Sequence, residues 1–580
     1  MSKEVIKREC KFAFHIPIAD TPYQDVHLVK ESLYYDDGSK EPNLRFIKNF
    51  KRPFWVTKPQ FQNHKEKKEY EELDKLTRIE CTESKLRYRV AEVLNKRGTK
   101  DYLKQLLNSP YIYGADIPSE SLIKESYKLK YPDVDGIFDV AMLDTETDVL
   151  HGTNDIILIT IAFKNNIFTA VTKDFVSGID NSVEKEYELI VKYLSDKIDV
   201  TKYNFELMIG NSSMQIVSMA FDKLHEWKPD FVAIWNMEFD INKILETCTK
   251  FGVDPKNLFS DPKVPEELRY FKYKKGSEFK ITASGKRKPK APHDLWNTVY
   301  STSSFYFIDA MCAYKYIRLS KAEEPSYKLD AILSKELKLT KLKFDEAKAL
   351  EGSLEWHSFM QEHYPLEYIV YNRFDCISMQ LLDDKTSDLK AVVPTFSGLS
   401  PFEHFASQPR LIANALFYFL KDRNKILATV GSDKEVRDSN GVVVDADYTG
   451  EEDEDDEGYD NTDILGLKGW IVTLQNAFID ESTASDCIEE NVLSKGNIRT
   501  YVYDCDCVSS YPSDTIALNL SKTTTSKEII EMIDNDVKIP ESIFKLQNIN
   551  LVSGCWTNAL EYCTTMFNFP TLDELDKYIK

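Results

Sequence analysis

Apolar positions along this chain fall into short continuous runs and into helical stripes, and the two alternate in a layered order. Val140-Ala141-Met142-Leu143 is an apolar run that leads into Asp144-Thr145-Glu146-Thr147. Residues 156–163 form a second run, Lys164-Asn165-Asn166 a turn, and residues 167–172 a third run. Short apolar runs bounded by turn residues read as buried strands, so these three predict a meander. Met214, Val217, Phe221 and Leu224 then recur at helical spacing. Residues 231–235 predict another strand, running into Asn236-Met237-Glu238-Phe239-Asp240. Ile241, Ile244, Leu245, Cys248 and Phe251 continue as an amphipathic helix. A strand over 305–310 ends near Asp309, and Pro325 to Asp330 opens a helix. Residues 365–382 predict a helix with Leu366, Ile369, Val370, Phe374, Ile377 and Leu381 inward, and 408–427 predict another.

Three strands followed by helix, strand and helix is the order of an RNase-H-like layer, which presents acids at its strand ends. The expected fold class is α/β, in a multidomain α+β chain with a mixed sheet. The expected division is an N-terminal mixed α/β domain (1–137), the RNase-H-like domain (138–387), a helical return to the N-terminal domain (388–430), an acidic loop (431–463) and a last domain (464–580). In the first of these, residues 84–107 read as helical. Residues 45–56 interleave Phe46, Lys48, Phe50, Arg52, Phe54 and Trp55, which suits either nucleic-acid stacking or a small core, and the core is preferred. The run Glu451 to Glu457 has the composition of a loop and is assigned no chemistry.

The chain has 580 residues, 42% hydrophobic and 29% charged, enough for several packed domains. Its net charge of −21 does not suggest a polyanion binder, but such contact depends on local patches. One patch exists: Lys272, Lys274, Lys275, Lys280, Lys286, Arg287, Lys288 and Lys290 face only Glu278, and Ser284-Gly285 suggests a hairpin tip. No apolar stretch has membrane-spanning length, and residues 1–10 lack the apolar core of a signal peptide. The ten cysteines match no zinc or disulfide framework. A reduced, cytoplasmic protein is expected.

Asp144 and Glu146 share one side of their strand, because residues i and i+2 do. Two carboxylates so close repel unless a cation sits between them, and a hard divalent ion such as Mg²⁺ takes oxygen ligands of this kind. The pattern alone is common: Asp455-Asp456-Glu457 fits it too, inside the acidic run. Partners give it meaning. Asp240 also sits where a strand gives way to a helix, and Tyr371 and Asp375 lie at i and i+4 on one helix face, able to share a water and a metal.

In order along the chain, Asp144-x-Glu146, Asn236-x-x-Phe239-Asp240 and Tyr371-x-x-x-Asp375 resemble the three exonuclease motifs of family B DNA polymerases. Asp506-x-x-Ser509-x-Tyr511-Pro512-Ser513 resembles that family's first polymerase motif. The stretch from Pro325 to Asp330 and the helix around Tyr371 are most similar to the replicative polymerases of large tailed bacteriophages. The two-residue spacing between Asn236 and Phe239 resembles protein-primed relatives, and Ser510 stands where Leu is usual. The resemblance implies a 3′→5′ proofreading exonuclease using two Mg²⁺ or Mn²⁺ ions. Asp144 would bridge them, Glu146 and Asp375 would complete one, and Asp240 would lie near the other. Tyr371 would orient the attacking water, and Asn236 and Phe239 would hold the frayed primer end. In a partial palm, Asp506 would bind the polymerase metals, the backbone near Ser509 and Ser510 would approach the triphosphate, and Tyr511 would pack beneath the deoxyribose. The basic segment is read from its charge alone: such a run is usually a solvated loop, and contact of Lys286, Arg287 and Lys288 with DNA is the equal alternative beside a phosphodiester site.

The family's Lys-x-x-x-Asn-Ser-x-Tyr-Gly and Tyr-Gly-Asp-Thr-Asp motifs do not occur up to Lys580. The expectation is the N-terminal subunit of a split polymerase in viral DNA replication. A second polypeptide would supply fingers, remaining palm and thumb, and dNTP would bind only in the complete complex. Residues 551–580, with Trp556, Tyr562, Phe567 and Phe569, would pack against that partner. The alternatives are a free-standing 3′→5′ DNA exonuclease with a vestigial palm, and a non-catalytic DNA-binding scaffold.

Overall fold

The computed structural model describes residues 3–17, 25–134, 136–281, 287–319 and 323–431, with short strands at 436–437, 443–444, 525–527, 530–534, 537–541, 544–546 and 549–550. The chain divides into two units, Met1–Asp456 and Glu457–Lys580. The fold class is mixed α/β, with sheets of both orientations.

Six strands form the central sheet of the first unit: β1 (Val140–Thr147), β2 (Ile156–Phe163), β3 (Asn166–Thr172), β4 (Asn204–Gly210), β5 (Phe231–Ile234) and β6 (Tyr306–Asp309). Their spatial order is β4-β3-β2-β1-β5-β6. The strands β1, β2 and β3 are the expected antiparallel meander. The strand β5 pairs parallel with β1, and β6 pairs parallel with β5. The strand β4, parallel to β3 on the outer edge, and the helix α1 (Val183–Leu194) are additions to the expected order.

Side-chain alternation along β1 sends Ala141 and Leu143 to one face and Met142 to the other. On the first face, helices α2 (Ser213–Trp227) and α3 (Met237–Phe251) bury Val217, Phe221, Ile241 and Ile244. On the second face lie α4 (Leu329–Leu337), α5 (Leu354–His363) and α6 (Pro365–Thr386), the last burying Ile369, Val370, Phe374 and Ile377. Helices on both faces explain why β2 is apolar nearly throughout.

In the N-terminal part, Val5–Ile16, Val26–Tyr35 and Lys40–Lys48 form an antiparallel sheet, and Arg52–Thr57 lies between Leu76–Cys81 and Ile112–Tyr113. Phe54 and Trp55 are core residues, and the buried Arg52 donates to the carbonyls of Ala115 and Ile117, both at 2.7 Å. Buried lysines join this part to its neighbours: Lys11 donates to Gly136 O at 2.9 Å, Lys30 to Ser304 O at 2.6 Å, and Lys124 to Ser400 O at 2.9 Å.

Three expected elements differ. The helix expected over 84–107 is two short helices, Leu86–Val93 and Leu103–Leu106, broken where Asn95 and Gly98 take positive φ. The helix expected over 408–427 spans Gln408–Lys421. Asn424 turns the chain at φ 57, and Lys425–Leu427 pairs as a strand with Tyr70–Glu72. In the second unit, the sequence after Pro512 reads as helices alternating with turns up to Lys580. Instead Ile530–Asp534 pairs with Val537–Glu541, and Phe544–Leu546 pairs with Thr525–Lys527 and Ile549–Asn550. The apolar positions Ile530, Met532, Val537 and Ile539 recur at a period of two, which suits strands.

Asp506, Ser509, Ser510, Tyr511, Lys286, the acidic run 450–458 and residues 551–580 lie outside the described residues. Among the described residues, no helix is long and apolar enough to cross a membrane.

Candidate metal centre

The strands β1, β5 and β6 run parallel, so their carboxyl ends open on one edge of the sheet, where α/β folds place their sites. The last pairs are Met142 with Ala233 and Ile234 with Asp309. Asp144 and Glu146 continue β1 past its ladder with β5, and project to the face that α6 covers. There Asp375 of α6 meets them. Ligand atoms of Asp144, Glu146 and Asp375 all lie within 4.8 Å of one another.

Each of these acids is anchored by a neighbouring donor. The Tyr368 hydroxyl donates to Glu146 Oε2 at 2.6 Å, and Asn372 Nδ2 donates to Asp144 Oδ2 at 2.6 Å. Lys341 Nζ donates to Asp375 Oδ2 at 2.5 Å and to the Tyr371 hydroxyl at 3.1 Å. Tyr368, Tyr371, Asn372 and Asp375 occupy positions i, i+3, i+4 and i+7 of α6, a single stripe. The Tyr371 ring is buried and stacks on that of Tyr368, with centroids 6.0 Å apart.

Asp240 approaches from the α3 side. It is buried, and its Oδ1 accepts from Thr145 N at 3.0 Å and Thr145 Oγ1 at 2.6 Å. Thr145 separates the two β1 acids, so Asp240 is tied to the same strand end without joining the group of three. Asn236 and Phe239 flank the start of α3 and are exposed. That start is held to β6 by Asp309, whose Oδ2 accepts from Met237 N at 3.2 Å.

Burial raises the pKa of Asp144 well above its ordinary value, and Asp240, Glu146 and Asp375 add to the rise while Lys341 opposes it. Burial also raises Glu146, against the Tyr368 hydrogen bond, Lys341 and Asn372. It raises Asp240 to about 7 despite both bonds from Thr145. Asp375 is raised by burial, with Lys341 working against it. Its Oδ1 is buried without a hydrogen-bond partner. The Lys341 ammonium group opposes the charge of three of these acids, Asp144, Glu146 and Asp375, so the excess charge suits a hard cation with oxygen ligands. The group Asp144, Glu146 and Asp375 could hold such an ion.

Lys341, Tyr368 and Asn372 were not among the expected site residues. Tyr368 and Asn372 were legible, since they share the spacing of Tyr371 and Asp375. Lys341 follows α4 in an irregular segment, and its backbone N–H is held by Asp330 Oδ1 at 2.7 Å. No local pattern marks it.

The basic segment is built from two ladders. Phe271–Lys274 pairs antiparallel with Thr298–Ser301, and Phe279–Ile281 pairs with Arg287–Pro289. Register sets Lys280 opposite Lys288, and Lys288 is exposed. Lys275 reaches Glu238, beside Phe239, at 3.2 Å.

No protein-family model matches this chain, and no curated protein matches it. Its class therefore rests on fold and site together: an α/β protein with a buried carboxylate cluster, at the open edge of a sheet, that could hold a metal ion.

Proposed function

We propose that this chain is a metal-dependent 3′→5′ DNA exonuclease, on an RNase-H-like layer, forming the N-terminal part of a family B DNA polymerase. The observation that carries the reading is the meeting of Asp144 and Glu146 with Asp375, in the order and spacing of that family's motifs. Asp144, Glu146 and Asp375 would hold one Mg²⁺ or Mn²⁺, and Asp240 with Asp144 the other. Such ions, when bound, supply an activated water and stabilise the leaving 3′ oxygen.

The chain's own residues do the rest. Lys341 donates to Tyr371, which stands beside Asp375 and would orient the attacking water. The exposed Asn236 and Phe239 grip and stack the frayed 3′ end of single-stranded DNA or of a primer on its template. Asp506, Ser509, Ser510 and Tyr511 belong, in this reading, to the first part of a palm in a larger polymerase assembly. The assembly would act in viral DNA replication in the host cytoplasm. A free-standing exonuclease would share the same site.

The test is digestion of 3′-labelled single-stranded DNA by the full chain in Mg²⁺. The double variant Asp144→Ala/Glu146→Ala should lose about 10³-fold or more in rate. An ion supplies several kcal/mol of transition-state stabilisation, and about 1.4 kcal/mol is worth tenfold. Wild-type speed in that variant would remove the metal assignment.

A further inference from the structure

We propose that His357, on α5, is a positioning residue of the metal centre, setting the Glu146 carboxylate through the Tyr368 hydroxyl. The inference deepens the nuclease reading and rests on it for what the bound ion does.

The hydrogen-bond arithmetic leads there. An ionised carboxylate can only accept, so the Tyr368 hydroxyl must spend its one proton on Glu146 Oε2, at 2.6 Å. The Tyr368 oxygen is then an acceptor for any further partner. Two donors reach it: His357 Nδ1 at 2.8 Å and Gln361 Nε2 at 3.4 Å. The shorter contact fixes the ring as the form carrying hydrogen on Nδ1, and the chain runs from His357 N–H to Tyr368 O–H to Glu146. Each donation polarises the next and strengthens it.

His357 and Gln361 are one turn apart on α5 and face the same way. Gln361 handles the backbone just past Glu146. Its Oε1 accepts from Val149 N at 3.0 Å and Leu150 N at 3.1 Å, and its Nε2 donates to Thr147 O at 2.8 Å. One short helix thus holds both the ligand side chain and the strand end that carries it. A free glutamate would give up rotamer freedom on binding an ion. A glutamate held through one oxygen has already done so, and keeps its other oxygen for the cation. Partners of this kind typically change metal affinity ten- to hundredfold.

His357 also packs edge-on against the ring of Trp356, with centroids 4.9 Å apart, and a purely structural role would consist of such packing. The experiment separates the two roles by measuring Mn²⁺ binding to the full chain, without DNA, through the electron paramagnetic resonance of free Mn²⁺. His357→Leu keeps bulk and loses the donor, whereas His357→Asn places an amide N–H where Nδ1 stood. The expected result is roughly tenfold or more weaker Mn²⁺ binding for His357→Leu, with most of the loss restored in His357→Asn. Tyr368→Phe should weaken binding similarly, and His357→Leu/Tyr368→Phe no further, because the two act in series. Wild-type affinity in His357→Leu, or an equal loss in His357→Asn, would overturn the proposal. Should His357→Leu fail to fold, Tyr368→Phe decides alone: it removes one oxygen, and unchanged Mn²⁺ binding there also overturns the proposal. A wild-type chain that binds Mn²⁺ but digests no DNA would refute the nuclease reading and leave this comparison intact.

Discussion

Burial pushes the Asp240 carboxyl up from an ordinary 3.8 to about 7 in the folded chain. Between those values the folded state binds more protons than the unfolded state, so stability without a divalent ion must fall as pH rises through that window. Asp144, Glu146 and Asp375 are also raised and act in the same direction. In a chelator, the melting temperature should therefore drop between about pH 5 and about pH 7.5. Asp240→Asn, which cannot ionise, should show a shallower drop. Added Mn²⁺ should stabilise more at the higher pH, because it competes with protons for the same oxygens. Differential scanning calorimetry at several pH values decides this, and superimposable profiles for wild type and Asp240→Asn would contradict the assignment of burial strain to Asp240.

At the scale of elements, the site is one strand end facing one helix stripe, with a basic hairpin nearby in sequence. Positions 280 and 288 pair in its ladder, and Lys288 is exposed. Replacing Lys286, Arg287 and Lys288 with Gln should weaken DNA binding and flatten its dependence on salt. Each lost phosphate contact should lower the slope of log K against log[salt] by about 0.7 on single strands. Fluorescence anisotropy titrations at several salt concentrations measure this, and an unchanged slope would mark the hairpin as an ordinary solvated one.

For the whole molecule, the proposed division of labour makes a prediction about synthesis. Residues 1–580 carry Asp506 and Tyr511 but neither the nucleotide-gripping helix nor the second catalytic carboxylate of the family motif. One carboxylate does not suffice for two-metal chemistry. Residues 1–580 by themselves should digest a primer and never extend it. Supplied with fingers, remaining palm and thumb, on the same chain or on another, they should extend primers in a template-dependent way, and Asp506→Ala should abolish extension while sparing digestion. Primer extension by residues 1–580 alone would overturn the assignment of Asp506 and Tyr511 to an incomplete palm.

The central layer was legible because its signals are local. A strand's period and a helix's period are properties of consecutive residues, and so is the pairing of Asp144 with Glu146 or of Tyr371 with Asp375. The sequence alone therefore determined the meander, the helices α2, α3 and α6, and the acids they carry. Breaks that depend on one residue's backbone were missed: Asn424 turns a helix into a strand, and Gly98 splits another. What only the tertiary structure decided is which distant donors serve those acids. Lys341 comes from 34 residues before Asp375, and Gln361 lies 214 residues after the Thr147 carbonyl it holds. Lys341 lies in no periodic pattern and the helical spacing of Gln361 does not point to Thr147, because their placement follows from how α4, α5 and α6 pack on the sheet. A hydrogen bond between remote residues leaves no trace in either one's neighbours, so folding alone brings His357 to the tyrosine that holds Glu146.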